Sequence, residues 1–203
     1  MARLAQYSHR LAVAAGRTFI QEGETASDFF IVTSGHVKLF TLMPDGRRQI
    51  TGFAQTGDFL GLASGATYAF SAEALGALSL CRFSRSGLTL LRREFPELEN
   101  RLMEEASREL VQAQKRMLLL GRKTARERLA SFLLEQHHLL PAREITLRLP
   151  MSRTGIADYL GLTIETVSRT LNALQREKLI TITQVTQIVL LNLPALENLA
   201  RGG

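Results

Sequence analysis

The hydrophobic positions change period along the chain. From residue 17 to 83 they come in short runs broken by turn residues: TFIQEGE, FFIVTSGHVKLFTL, QITGFAQTGDFLG and AEALGALSLCRFS. Runs of this length predict short strands, and their spacing predicts a small β-sandwich or barrel. Pro44-Asp45-Gly46 marks a hairpin turn, and Gly23, Gly35, Gly57 and Gly61 fall where the chain must reverse. After Pro96, which suits a first helical turn, the period becomes helical. Leu98, Leu102, Ala106, Leu110, Ala113, Met117 and Leu120 form a narrow seam flanked by charge, over a helix of about 96–123. A seam of this kind serves either two helices pairing or one helix packed on its own domain. Its length, the whole helix, favours pairing. Gly121 interrupts the pattern and predicts a hinge in the basic run GRKTARER. ARERLASFLLEQHHL, 125–139, reads as a further amphipathic helix. ITLRLP follows. Near the end, LITITQVTQIVLLN alternates with period two around a break at Gln184–Gln187, which predicts a two-stranded wing.

Between these lies SRTGIADYLGLTIETVSRTLNALQRE, residues 152–177. It reads as two short helices joined by a tight turn. Gly161 supplies the turn, because it accepts positive φ at no steric cost. Small Ala157 lies where the helices approach, and Ile156, Leu160, Leu162 and Val167 are spaced to fill a core between them. Thr163 is a natural N-cap for a helix opening at Ile164. Glu165, Ser168 and Arg169 then share one polar face that the core does not need. Their chemistry fits base reading in a major groove. Arg169 can donate twice to guanine, Glu165 can accept from cytosine N4, and Ser168 can do either or pack near a thymine methyl. Alone, the three would equally suit a solvated face with a Glu–Arg pair. The turn, the small residues and the core spacing favour DNA. Ser152, Arg153 and Thr154 open the first helix, and Thr163 and Thr166 the second. Helix N-termini offer free N–H groups to phosphates, so these five are candidate phosphate contacts.

The segment IADYLGLTIETVSR resembles the helix-turn-helix of the Crp/Fnr superfamily of bacterial transcription regulators. Its E-x-x-S-R pattern, on Glu165, Ser168 and Arg169, is similar to the Fnr/FixK branch. The spacing of Phe19, Gly23, Glu24, Phe30, Gly35 and Lys38 also looks like that superfamily's cyclic-nucleotide-binding β-roll. The resemblance implies an α+β fold: an N-terminal cyclic-nucleotide-binding-like β-roll (1–95), a long dimerisation helix (96–123) and a C-terminal winged helix-turn-helix (124–203). It implies a homodimer joined along the seam, double-stranded DNA with a TTGAT-N4-ATCAA-type palindrome as target, and RNA polymerase as a partner. It further implies a transcription activator in microaerobic or nitrogen-metabolism control.

Composition agrees with a soluble globular chain, 45% hydrophobic and 22% charged, and the net charge of +6 suits phosphate partners. No apolar run is long enough to span a bilayer, and MARLAQYSHR has no signal-peptide core, so no membrane and a cytoplasmic location are expected. No phosphate-cradling loop, nucleophile elbow or HExxH occurs, which argues against an enzyme. In nucleotide-binding members of the superfamily, the β-roll carries a Glu for the ribose and an Arg for the phosphate. Here Asp58 stands for the Glu, and no Arg lies between Arg48 and Arg82. Cys81 is the only cysteine and reads as a buried strand residue rather than a cluster ligand. His9, His36, His137 and His138 read as surface or cap residues. No cofactor is expected. Regulation without a bound effector is the leading reading; gating by haem, redox state or a small molecule is the alternative.

Overall fold

A computed structural model describes residues 8–62 and 65–202. The described strands of the N-terminal part are β1 (Ser8–Val13), β2 (Thr18–Ile20), β3 (Asp28–Ser34), β4 (His36–Leu42), β5 (Arg48–Gln55), β6 (Phe59–Leu60), β7 (Ser71–Ala74) and β8 (Leu78–Ser84). They form two four-stranded antiparallel sheets, ordered β1-β8-β3-β6 and β2-β7-β4-β5. Val13, Ile20, Phe30, Val32, Val37, Leu60, Ala72, Leu78 and Leu80 fill the space between the sheets. The run FFIV in β3 is continuous rather than alternating because its sheet is covered on both faces. Phe29 and Ile31 point away from that core and join Phe83, Cys81 and Phe59. The rings of Phe29 and Phe83 stack there at 4.8 Å. Cys81 is half-buried in this second cluster rather than fully buried.

The hairpin expected at Pro44-Asp45-Gly46 joins β4 to β5, with the Met43 N–H donating to Arg47 O at 2.8 Å. Gly35 is required between β3 and β4. Its φ is +97°, and a Cβ there would stand 2.6 Å from the Ala77 carbonyl oxygen.

Helices α1 (Arg85–Glu94) and α2 (Pro96–Arg122) follow. Leu88 of α1 and Leu98 of α2 pack onto the Phe29–Phe83 cluster, so Leu98 is used within its own unit. Further along α2, Met103, Leu110 and Met117 stand outward at 65%, 61% and 74% exposure. Ala106 and Ala113 are exposed between them, and Leu102 and Leu120 are half-buried. Gly121 does not break the helix, contrary to the hinge its position predicts. The helix runs through it to Arg122. The break comes at Thr124, whose side chain caps the next helix, α3 (Ala125–His137), in a capping box with Glu127. A cap captures free N–H groups, whereas a glycine inside a helix costs only about 1 kcal/mol.

The remaining elements are β9 (Thr146–Arg148), α4 (Arg153–Leu160), α5 (Ile164–Arg176), β10 (Ile180–Gln184), β11 (Gln187–Leu190) and α6 (Leu193–Arg201). The three strands form an antiparallel sheet ordered β10-β11-β9. Leu129, Phe132, Leu133, Leu147, Leu160, Leu171, Leu174, Ile180 and Leu196 are fully buried. The chain forms two compact units, 1–111 and 112–203, divided within α2.

Candidate nucleic-acid interface

The helix-turn-helix forms as the spacing requires. Ser152 caps α4, its hydroxyl accepting the Gly155 N–H at 3.1 Å. Ile156, Ala157, Tyr159 and Leu160 turn inward. Gly161 ends the helix at φ 61°, ψ 42°, left-handed geometry that strains any side chain. Thr163 caps α5, accepting the Thr166 N–H at 3.2 Å, and the two threonine hydroxyls lie 3.1 Å apart. Val167, Thr170, Leu171 and Leu174 bury the inner face of α5. Leu162 is only half-buried, so the core between the helices rests on Ile156, Leu160 and Val167.

The outer face of α5 carries the candidate base readers. Glu165 and Arg169 are exposed and Ser168 is half-buried. Ile164 is 41% exposed beside them. Among the described residues Arg169 makes no ion pair, with Glu165 or any other carboxylate. The Glu–Arg pair that would have explained the face as ordinary surface does not form. The Glu165 carboxyl is held below its usual range by its own backbone N–H and then by the Thr163 hydroxyl, so it is ionised and accepts only. Arg153 and Thr154 lie on the first turn of α4 with Ser152. The guanidinium of Arg153 crosses to α5, where Nη1 donates to Ser168 Oγ at 3.3 Å.

Several residues that hold this site in place were not singled out by the sequence. Arg128 of α3 donates to three carbonyls, those of Lys123 at 2.9 Å, Leu160 at 2.8 Å and Leu120 at 2.9 Å. One guanidinium thereby satisfies free carbonyls at the C-terminal ends of α2 and α4 and in the turn between α2 and α3. Lys123 Nζ donates to Ser131 Oγ and to the Ala200 carbonyl, each at 2.7 Å. Gln175 near the end of α5 accepts the Ile182 N–H at 2.8 Å, fastening the wing to the recognition helix. Tyr159 donates to Glu135 at 2.9 Å. Burial, then the Glu135 carboxylate, push the Tyr159 phenol up to about 12. A basic residue amid helix ends signals a clamp of the Arg128 type, but its partners come from distant turns that periodicity does not connect.

A recognition helix with a free polar face, a supporting helix and a two-stranded wing, in a chain that also holds a β-roll, define a winged helix-turn-helix DNA-binding protein. The family model for a Crp-like helix-turn-helix domain matches residues 127–199, and that for a cyclic nucleotide-binding domain matches 10–94. The nitrogen fixation regulation protein FixK of Bradyrhizobium diazoefficiens is 45% identical over 187 residues, covering 89% of this chain and 79% of that protein. The transcriptional activatory protein AadR of Rhodopseudomonas palustris is 45% identical over 183 residues, covering 89% and 75%. The structure of FixK2 from Bradyrhizobium japonicum superposes with a TM-score of 0.89 at 39% identity, over 95% of this chain and 96% of that one. The chain belongs to the Crp/Fnr family of transcription regulators, on its FixK-like side. Its fold and its relatives are those of DNA-binding regulators, not of enzymes. No described helix is long and apolar enough to cross a membrane.

Among the described residues of the β-roll, those at the positions a cyclic nucleotide would need do not fit one. Arg82, the first arginine after Arg48, is bound to Asp28 at 2.7 Å. Lys38 is bound to Glu73 at the same distance. Asp58 belongs to the turn between β5 and β6, its carboxylate accepting the Gln55 N–H at 2.8 Å. Tyr68 and Phe70 pack into the sheet core, and the Ser71 hydroxyl accepts the Glu22 N–H at 3.0 Å. The cation and carboxylate that a nucleotide's phosphate and ribose need are already engaged.

Proposed function

We propose that the protein is a homodimeric, sequence-specific transcription activator that reads a TTGAT-N4-ATCAA-type palindrome without a bound effector. The observation that carries this reading is the outer face of α5, with Arg169 in no ion pair among the described residues and Glu165 ionised. Glu165, Ser168 and Arg169 read base edges. Ser152, Arg153, Thr154, Thr163 and Thr166 hold the phosphates on either side. The exposed stripe of Ala106, Leu110, Ala113 and Met117, continued at its ends by Leu102 and Leu120, joins two copies. An apolar stripe this long on a solvent-facing helix supports pairing, because each residue left in water forgoes the gain of burial. Leu98 contributes by anchoring α2 to its own β-roll. The protein acts in the cytoplasm with RNA polymerase, in microaerobic or nitrogen-metabolism control, as the resemblance to FixK suggests.

Effector independence rests on the engaged residues of the β-roll. Protein stripped of small molecules should bind the palindrome with nanomolar affinity, the range common to specific complexes. Mobility shifts with and without cyclic AMP or cyclic GMP test this. A micromolar nucleotide response with a matching rise in DNA affinity contradicts it.

A further inference from the structure

We infer that Arg153 sets the direction of the hydrogen bond that Ser168 offers to DNA, making Ser168 a donor that rejects cytosine at one position of each half-site. The inference rests on the base-reading role proposed for the outer face of α5. A serine hydroxyl has one proton and two lone pairs, so by itself it reads a donor or an acceptor equally well. A guanidinium can only donate. Arg153 Nη1, 3.3 Å from Ser168 Oγ, takes up one of the two lone pairs and turns the hydroxyl proton away from the cation, and its positive charge makes the remaining lone pair a poorer acceptor for a second donor.

A helical serine usually has another outlet for that proton, the carbonyl one turn earlier. Ser107 uses it, donating to Met103 O at 2.8 Å, and Ser131 donates to Glu127 O at 2.7 Å. Among the described residues, the Ser168 hydroxyl has no such acceptor, and its one hydrogen-bond partner is Arg153. The proton is therefore left for the groove. Thymine O4, guanine O6 and N7, and adenine N7 all accept there. Cytosine shows only the N4 donor. A hydroxyl biased toward donating meets cytosine donor to donor.

Arg153 is thus a positioning residue for specificity as well as a phosphate contact. The two roles are compatible, since its remaining N–H groups stay available. Its substitution by a residue unable to donate frees the hydroxyl to rotate and accept from cytosine N4. Loss of a phosphate contact alone weakens all sequences alike.

The test compares full-length wild type, Ser168→Ala, Arg153→Met and the double variant. Each is measured against duplexes carrying every base pair at each half-site position, at one fixed salt concentration. Ser168→Ala identifies the position that the hydroxyl reads. There, wild type should bind cytosine about tenfold or more below the preferred base, the usual scale of a mismatch. Arg153→Met should cut that penalty to about two- to threefold while leaving the ranking at other positions intact. In the Ser168→Ala background, Arg153→Met should change no base ratio.

A uniform loss of affinity in Arg153→Met, with the cytosine penalty unchanged, overturns the inference and leaves Arg153 a phosphate contact. Wild type that tolerates cytosine at the Ser168 position overturns it too, without relying on the folding of any Arg153 variant. Wild type that binds every duplex equally overturns the proposed base reading itself.

Discussion

Arg169 presents a planar fork of donors on an exposed helix face, and among the described residues no carboxylate pairs with it. Facing guanine, it makes two parallel hydrogen bonds that no other base reproduces. Arg169→Ala should cost roughly 1–3 kcal/mol per half-site and relax the preference at the G of TTGAT. Arg169→Lys should recover only part, because an ammonium is a point and not a fork. Binding to the TTGAT site and to one with the G replaced separates the roles: an unchanged ratio in the Ala variant makes Arg169 a phosphate contact. Much of this site was legible in the sequence. Thr163, Gly161 and the face of Glu165, Ser168 and Arg169 follow from caps, left-handed turns and helical spacing, which are local rules. The contact of Arg153 with Ser168 was not. It depends on how α4 crosses α5, and both residues were assigned separate roles.

At the scale of elements, two devices hold the helix-turn-helix in shape. Arg128 joins the carboxyl ends of α2 and α4 through three carbonyls. Arg128→Ala leaves those acceptors without their cation and should lower stability by about 2–3 kcal/mol in chemical denaturation. A loss no larger than that of an ordinary surface substitution would remove the clamp from the account. Tyr159 gives the fold an alkaline limit. Its phenol is neutral in the folded state up to about 12, well above its ordinary value. The folded state thus holds a proton that the unfolded chain releases near pH 10, about the ordinary tyrosine value. The resulting stability is complete below that pH and is lost as pH rises towards the folded value. Melting curves of wild type should fall more steeply over this range than those of Tyr159→Phe; equal slopes would show that another group sets the limit.

The same scale shows where periodicity stops informing. The strands β2 to β8, the helices α2 to α5 and the wing β10–β11 stood out because each has an apolar run, an apolar rhythm or a cap. The first strand buries only Val13 of its residues, so SHRLAV carries no alternating signal. The short helix α1 carries Ser86 and Gly87, poor helix formers, in its first turn and is held by tertiary packing of Leu88. The last helix, α6, owes its start to the Asn192 cap, whose side chain accepts the Ala195 N–H at 3.1 Å. The predicted hinge at Gly121 lies before the observed break because the Thr124–Glu127 capping box, not glycine, ends the continuous helix.

For the molecule as a whole, a palindrome calls for two copies related by a twofold axis. The exposed stripe on α2 is the surface proposed to join them. Leu110→Glu with Met117→Glu sets like charges against one another across that stripe and should yield monomers in sedimentation. Those monomers should retain one half-site and lose most of the affinity; a dimer that persists places the interface elsewhere. On this reading, that surface and the outer face of α5 together read a symmetric sequence. Selection of bound duplexes from random DNA by the full-length protein, at stated salt and without added nucleotide, tests it most directly. Two TTGAT-type half-sites in inverted order at one fixed spacing should be enriched. Enrichment of a single unpaired half-site, or of no sequence over the starting pool, would contradict it.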